Sequence, residues 1–193
     1  MEIRILREEE LKTASGLSRY VFDYCLRNRM EYPQTIAFVE EYIAEENLRK
    51  LTSEKKLFLW GVYEGEQMVA VSGIQSDGMI TLLYVLPQCQ NRGYGSGLLK
   101  AMGAYAKDVC GFQKVLVNAN PAWTSFFFKK KGFSYMNANQ DLNAPFVPMY
   151  AMAGETEVSS KKTVAKKWMA LAAIGCILFA TLAGSLFMIS YLF

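Results

Sequence analysis

Residues 79–97 read MITLLYVLPQCQNRGYGSG, and the passage from the apolar half of this stretch into its glycine half decides the fold. The first half follows a turn signal at Asp77-Gly78 and reads as a strand that Pro87 closes. The second half, Gln90-Asn91-Arg92-Gly93-Tyr94-Gly95-Ser96-Gly97, opens a helix, because Leu98, Leu99, Met102, Tyr105 and Val109 then recur at helical spacing. A glycine-rich turn at a helix start aims backbone N–H groups and the positive end of the helix dipole at an anion. Gly93 and Gly95 let the backbone come close, since no Cβ intervenes, and Arg92 adds a charge beside the expected phosphate. A P-loop is excluded, because no Gly-Lys-Ser/Thr ends the turn. The dinucleotide fingerprint is excluded as well, because its third glycine comes too early here.

Working outward, LFLWGVYEG (residues 57–65) and MVAVSGIQSDG (residues 68–78) flank Glu64-Gly65-Glu66 and predict a hairpin leading into the strand at 79–87. Upstream, Ile3, Ile5 and Leu6 suggest a first strand and residues 8–24 a helix. Residues 35–51 read as one further helix, with Ile36, Phe38, Val39, Tyr42, Ile43 and Leu48 at mainly helical spacing. CLRNRMEYPQ (residues 25–34) between them reads as a turn-rich connection. Downstream, KVLVNAN (residues 114–120) is a short buried strand, and TSFFFKKKGFSY (residues 124–135) the end of a helix. In that helix Asn120 is the cap, Pro121 the first residue, and Trp123, Phe126 and Phe127 the core-facing stripe, with Phe128 off it. The lysines suit the negative end of the dipole, and Gly132 is the stop, so neither membrane nor nucleic acid is needed to explain them. FSYM and PFVPMYAM close the domain as a pair of strands. The order β-α-α-β-β-β-α-β-α-β-β predicts one mixed α/β domain over residues 1–152.

The chain holds no histidine, which removes Ser-His-Asp chemistry, His-ligated metals and the imidazole base together. A base must be a carboxylate, a tyrosine or a held water. The 4 cysteines show no metal-ligand spacing and read as free thiols in a reducing compartment. The net charge of +3 is too small to argue for nucleic acid. MEIRILREEE is charged and strand-like, so no signal peptide is expected.

Residues 168–193 carry no charge over roughly 26 residues, about 39 Å as a helix, enough to cross a ~30 Å hydrocarbon core with tilt. This predicts a single-pass transmembrane anchor with no soluble domain beyond it. Lys161, Lys162, Lys166 and Lys167 before the span place the globular part in the cytoplasm and can attract anionic lipid headgroups. Residues 153–167 are then a polar and basic juxtamembrane linker. Ala180-x-x-x-Gly184 is a small-residue spacing that would permit a homodimer, although it is common by chance.

The run Val85-Leu86-Pro87, Gln90-x-x-Gly93-x-Gly95, Leu98-Leu99 resembles the acetyl-CoA-binding segment of the GCN5-related N-acetyltransferases (GNAT). NANPAWTSFFFKKKGF (residues 118–133) resembles the next strand–helix–Gly-Phe unit of that family, and PFVPM (residues 145–149) its last strand. The resemblance covers residues 1–152 and implies a mainly antiparallel mixed sheet flanked by helices, with a V-shaped opening between the fourth and fifth strands. It further implies that backbone groups at Leu83–Val85 pair with the pantetheine arm and that Gln90, Asn91, Arg92, Gly93, Tyr94, Gly95 and Ser96 hold the pyrophosphate. The Val85 N–H would polarise the thioester carbonyl. Asn118 and Asn120 are expected cofactor contacts, with the helix cap as the other reading of Asn120.

One position departs from the family. Where a tyrosine commonly protonates the leaving thiolate, this chain has Phe128 beside the cofactor, which has no proton to give. Tyr84 and Tyr94 are the alternative donors, each with a packing role as its other reading. Glu31, Glu64, Asp77 and Asp141 lie near loops or strand ends without one of them standing out as the base. The resemblance therefore implies an acetyl-CoA-dependent N-acetyltransferase at the cytosolic membrane face, acting on an amine acceptor the sequence does not identify. The alternative is a catalytically weak acyl-CoA-binding sensor or docking module. Residues 25–36 and 137–144 are expected to shape the acceptor site.

Overall fold

In the computed structural model, which describes residues 2–30, 32–137, 139, 141, 144 and 146–155, the central apolar runs form β2 (Leu57–Glu64), β3 (Gln67–Gln75) and β4 (Met79–Val85). They make an antiparallel meander, and β1 (Glu2–Ile5) pairs antiparallel with the free edge of β2. Strand β5 (Lys114–Ala119) runs parallel to β4, then β7 (Val147–Met152) and β6 (Ser134–Tyr135) complete a 7-stranded sheet ordered β1-β2-β3-β4-β5-β7-β6. Strands β2 and β3 are buried at consecutive residues, so both faces are covered. The helices α1 (Leu11–Val21) and α4 (Tyr94–Asp108) pack on these central strands, and Leu98, Leu99 and Met102 of α4 are fully buried.

The first crossover differs from its sequence reading in two places. Helix α1 does not stop near Tyr24; it runs on through a π turn (Phe22–Leu26) and a 3-10 turn (Arg27–Arg29). Phe22 is fully buried beneath the Arg27 guanidinium, 5.3 Å from its ring, and Arg27 pairs with Asp23 at 2.7 Å and with Glu40. Those ties hold a segment that its composition alone makes look like a loop. Residues 35–51 also form two helices, α2 (Pro33–Tyr42) and α3 (Glu45–Ser53), broken where Ala44 turns extended at ψ 141. The break lets Ile43 and Leu48 both point into the core, and Ser15 Oγ donates to the freed Ile43 carbonyl at 2.7 Å.

Helix α5 (Ser125–Lys130) shows a third difference. A 3-10 turn, Ala122–Thr124, precedes it and follows Pro121, so Asn120 is not the cap. A 3-10 turn advances about 120° per residue against about 100° in an α-helix, which rotates everything after it. Phe128 turns inward at 7 % exposure with Ser125 beside it, while Trp123, Phe126 and Phe127 stand 47 %, 55 % and 36 % exposed. The expected stripe is therefore on the wrong side. Gly132, at φ 89, does end the helix as read.

Near the first strand, the Glu10 carboxylate accepts from Arg4 at 2.6 and 2.8 Å, from the Arg7 N–H at 2.8 Å and from the Tyr63 hydroxyl at 2.7 Å. The Arg4 hydrogen bonds lead in holding Glu10 well below the usual carboxylate range, while burial pushes Tyr63 up to about 12. A carboxyl depressed in the folded state contributes stability above its unfolded value of about 4.3 and loses it as pH falls toward the folded value. Glu10→Gln is expected to cost about 1–3 kcal/mol at pH 7 in urea denaturation. The gap from the native chain should narrow from pH 5 toward pH 2. A gap independent of pH would show that the charge plays no part.

Cys25, Cys89 and Cys110 are free thiols, and no metal-binding group of His, Cys, Asp or Glu occurs among the described residues. The expected membrane span at residues 168–193, its basic linker and the Ala180/Gly184 spacing lie outside the described residues. Among the described residues no helix is long and apolar enough to cross a membrane.

Candidate functional site

The site begins where two strands part. β4 and β5 pair only at Met79–Leu116 and Ile80–Val117. Directly after Ile80, the register between β3 and β4 jumps from Ile74–Ile80 to Gly73–Leu82, which leaves Thr81 as an extra residue. Such a bulge bends its strand, and here it carries β4 away from β5. The Leu86 N–H bonds to the Val69 carbonyl on β3 at 3.0 Å. Because N–H direction alternates along a strand, the N–H groups of Leu83 and Val85 point the other way, into the opening.

The glycine turn closes one end of this opening. Asn91 and Gly93 both take positive φ, 61° and 89°. Left-handed residues so close together gather neighbouring N–H groups into a concave anion-binding nest. The first bond of α4 runs from the Gly97 N–H to the Gly93 carbonyl at 3.0 Å, so the N–H groups of Tyr94, Gly95 and Ser96 precede the ladder and face outward without a protein acceptor among the described residues. A Cβ on Gly93 would meet nothing within 4 Å; glycine is required there by its backbone angle, with open space in front. On the other side Gln90 Nε2 donates to the Val85 carbonyl at 3.2 Å, which folds the turn back onto β4.

Opening and turn share one cavity of about 940 Å³. Leu83, Tyr84, Val85, Gln90, Asn91, Gly93, Tyr94, Gly95, Ser96, Asn118, Asn120 and Phe128 all line it. Arg92 does not: its guanidinium turns to Glu64 at 3.4 Å, away from the expected phosphate. The Tyr94 hydroxyl donates to the same Glu64 carboxylate, so that phenol is engaged. None of the three described candidate bases reaches the wall. Glu64 is held outside it, Asp77 caps the Met79 N–H at 3.0 Å in the β3–β4 turn, Asp141 is exposed, and Glu31 lies outside the described residues. Among the described residues no carboxylate lines the cavity at all.

Tyr84 is 9 % exposed, and its hydroxyl has no protein hydrogen bond among the described residues. Burial pushes its phenol up, so it keeps its proton at neutral pH. Phe128 packs edge-on against Phe127 and Phe133, each 5.3 Å away, and offers the cavity only a ring.

Thr81 escaped the sequence reading, and the segment from residue 25 that was expected at the acceptor site takes a form it did not foresee. Thr81, at the bulge, lines the cavity while its Oγ accepts from Tyr42 at 3.0 Å, and Tyr42 accepts from Gln75 at 2.8 Å. Its position inside an otherwise apolar strand was the available signal. The π and 3-10 turns at 22–29 form a strap across the cavity mouth: Cys25 Sγ lies 3.8 Å from Gln90 Nε2, and Arg29 lies over the Trp123 ring at 5.4 Å. π turns recur at functional sites, but no sequence pattern announces them.

These features agree with what the chain is similar to. A family model described as acetyltransferase (GNAT) domain matches residues 26–153. A GCN5-related N-acetyltransferase from Rhodopseudomonas palustris shares 17 % identity at a TM-score of 0.64, over 78 % of this chain and 94 % of that one. The PaiA N-acetyltransferase of Thermoplasma acidophilum, solved with coenzyme A, shares 17 % at 0.61, over 79 % and 99 %. A mutant of the spermidine N-acetyltransferase SpeG of Vibrio cholerae shares 14 % at 0.55, over 81 % and 97 %. No curated protein sequence matches the chain.

Proposed function

The chain belongs to the acetyltransferase (GNAT) family, acyltransferases that draw their acetyl group from acetyl-CoA, and from that premise we propose that it acetylates an amine at the cytosolic face of a membrane. The observation that carries the site assignment is the parting of β4 and β5 after Ile80, which leaves strand-edge N–H groups facing a cavity that ends in an anion nest. An extended amide chain with a pyrophosphate at one end fits that pair of features. The N–H groups of residues 94–96 hold the pyrophosphate. Because the donor runs from pyrophosphate through the pantetheine arm to the thioester, Val85, next to the nest, holds a pantetheine amide, and the Leu83 N–H, one donor farther along the edge, takes the role first expected of Val85 and stabilises the carbonyl oxygen as negative charge grows on it. The donor supplies the acetyl group as a thioester. During transfer the C–N bond forms, the C–S bond breaks, the amine loses one proton and the thiolate gains one. With no carboxylate on the described wall, the amine proton leaves to water anchored at Thr81 Oγ. Tyr84 donates to the thiolate.

The membrane part of the reading rests on the uncharged run at 168–193 and the lysines before it. A second reading, an acyl-CoA sensor with weak turnover, is favoured by Phe128 and by the lack of a carboxylate among the described residues of the wall. The two separate in one assay. Full-length chain in detergent, given acetyl-CoA and a panel of amines, is expected to release CoA thiol together with N-acetyl product. Tight CoA binding by calorimetry with no product from any amine would support the sensor.

A further inference from the structure

The strap at 22–29 carries two arginines with opposite circumstances. Arg27 is neutralised by Asp23 and Glu40. Arg29 has no ion pair among the described residues; it lies over Trp123 and lines the cavity. Lys130 and Lys131 line the cavity too, and no described carboxylate does. The apolar wall at this end comes from Tyr24, Trp123 and Phe126, all exposed at the mouth. A cleft whose charged lining is all of one sign repels ligands of that sign and concentrates the opposite one. Lys131 lies over the Phe127 ring, which sits against Gly95 in the nest, so its charge belongs to the donor end; a polyamine entering at the strap would meet Arg29 and, among the described residues, no carboxylate. An amine on an aromatic body could stack with Trp123, and a negative group on it would reach Arg29.

Resting on the acetyltransferase reading above, we propose that the acceptor is an amine on an aromatic or apolar body that also carries an anionic group, and that polyamines are rejected. Arg29 is then the specificity determinant. The spermidine specificity of a structural neighbour does not extend to this chain, because shared sheet geometry fixes the donor side and leaves the strap free to vary.

The test uses a matched set: tryptophan and tryptamine, which differ by one carboxylate, and spermidine. Full-length chain is assayed for CoA thiol release, and kcat/KM is compared for each amine. Tryptophan should exceed tryptamine, with spermidine last. Arg29→Gln should lower the tryptophan-to-tryptamine ratio about tenfold while CoA affinity by calorimetry stays constant, which also shows that the variant is folded. Using the ratio cancels the difference in basicity between the two amines. Spermidine ranking first, or a ratio that survives Arg29→Gln, overturns the proposal and leaves the acetyltransferase reading standing. Bound CoA with no product from any of the three overturns this inference, and the acetyltransferase reading falls with it only if the wider amine panel also gives no product.

Discussion

Gly93→Glu raises the Kd for CoA at least 100-fold, by about 2.7 kcal/mol or more, in titration calorimetry. Two separable effects act. At φ 89 any L side chain strains the backbone, by roughly 1–2 kcal/mol. The added carboxylate then points into the open space in front of the turn, where the pyrophosphate is expected. Two unit charges about 5 Å apart at an effective dielectric near 20 repel by about 3 kcal/mol. Gly93→Asn divides these terms, because asparagine tolerates left-handed angles and is uncharged; Asn91 already does so two residues earlier at φ 61. It should weaken binding by about tenfold or less. Thermal melts should fall by a few degrees for Gly93→Glu, from the backbone strain alone, and by less for Gly93→Asn, since a Cβ at Gly93 touches no other part of the fold. If Gly93→Glu binds CoA within a few-fold of the native chain, the pyrophosphate does not sit at this turn.

That first result depends on a feature the sequence displayed almost completely. Strands β2, β3 and β4 were readable because apolar runs broken by Gly65 and Gly78 leave few alternatives, and the glycine turn because its chemistry is local. Side-chain directions were less legible. Arg92 sits within the turn, yet its partner Glu64 lies on another strand, so nothing nearby in sequence shows that its charge is already committed. The α5 stripe failed for a different reason. Its phase depends on a single 3-10 turn after Pro121, and a shift of a few tens of degrees exchanges Phe128 with Phe127 and Phe126. The break at Ile43-Ala44 follows from burying both Ile43 and Leu48, a tertiary demand that overrides local periodicity. The strap at 22–29 depends on Glu40 and Trp123, which are remote in the chain.

The acceptor half of the site is therefore where sequence informs least and structure most. The donor half is backbone: a bulge, an unpaired strand edge and a helix start. Backbone features follow from glycine positions and strand order. The proposed acceptor half is a set of side chains brought together by irregular turns, and its charge becomes visible only when each cation is matched with its partner.

Tyr84→Phe is expected to lower kcat about 10²-fold while the KM for acetyl-CoA changes little. Tyr84 is the buried tyrosine of the cavity wall whose hydroxyl has no partner among the described residues, whereas the Tyr94 hydroxyl is engaged by Glu64. Phenylalanine fills the same volume, and removing a cavity-facing hydroxyl that no described protein group satisfies should leave the melting temperature nearly unchanged. A fall in kcat without a fall in stability or donor affinity would thus report proton donation. Phe128→Tyr in that background provides the complementary measurement. Phe128 borders the cavity within a ring cluster, and a hydroxyl on its ring would offer a second source for the same proton. Partial recovery of kcat in the double variant would mean that the two positions serve one step and that Tyr84 has taken the role Phe128 cannot fill. An unchanged kcat in Tyr84→Phe alone would assign the proton to water. Phe128 would then mark an enzyme that never needed a side-chain acid, rather than one whose acid moved to the neighbouring strand.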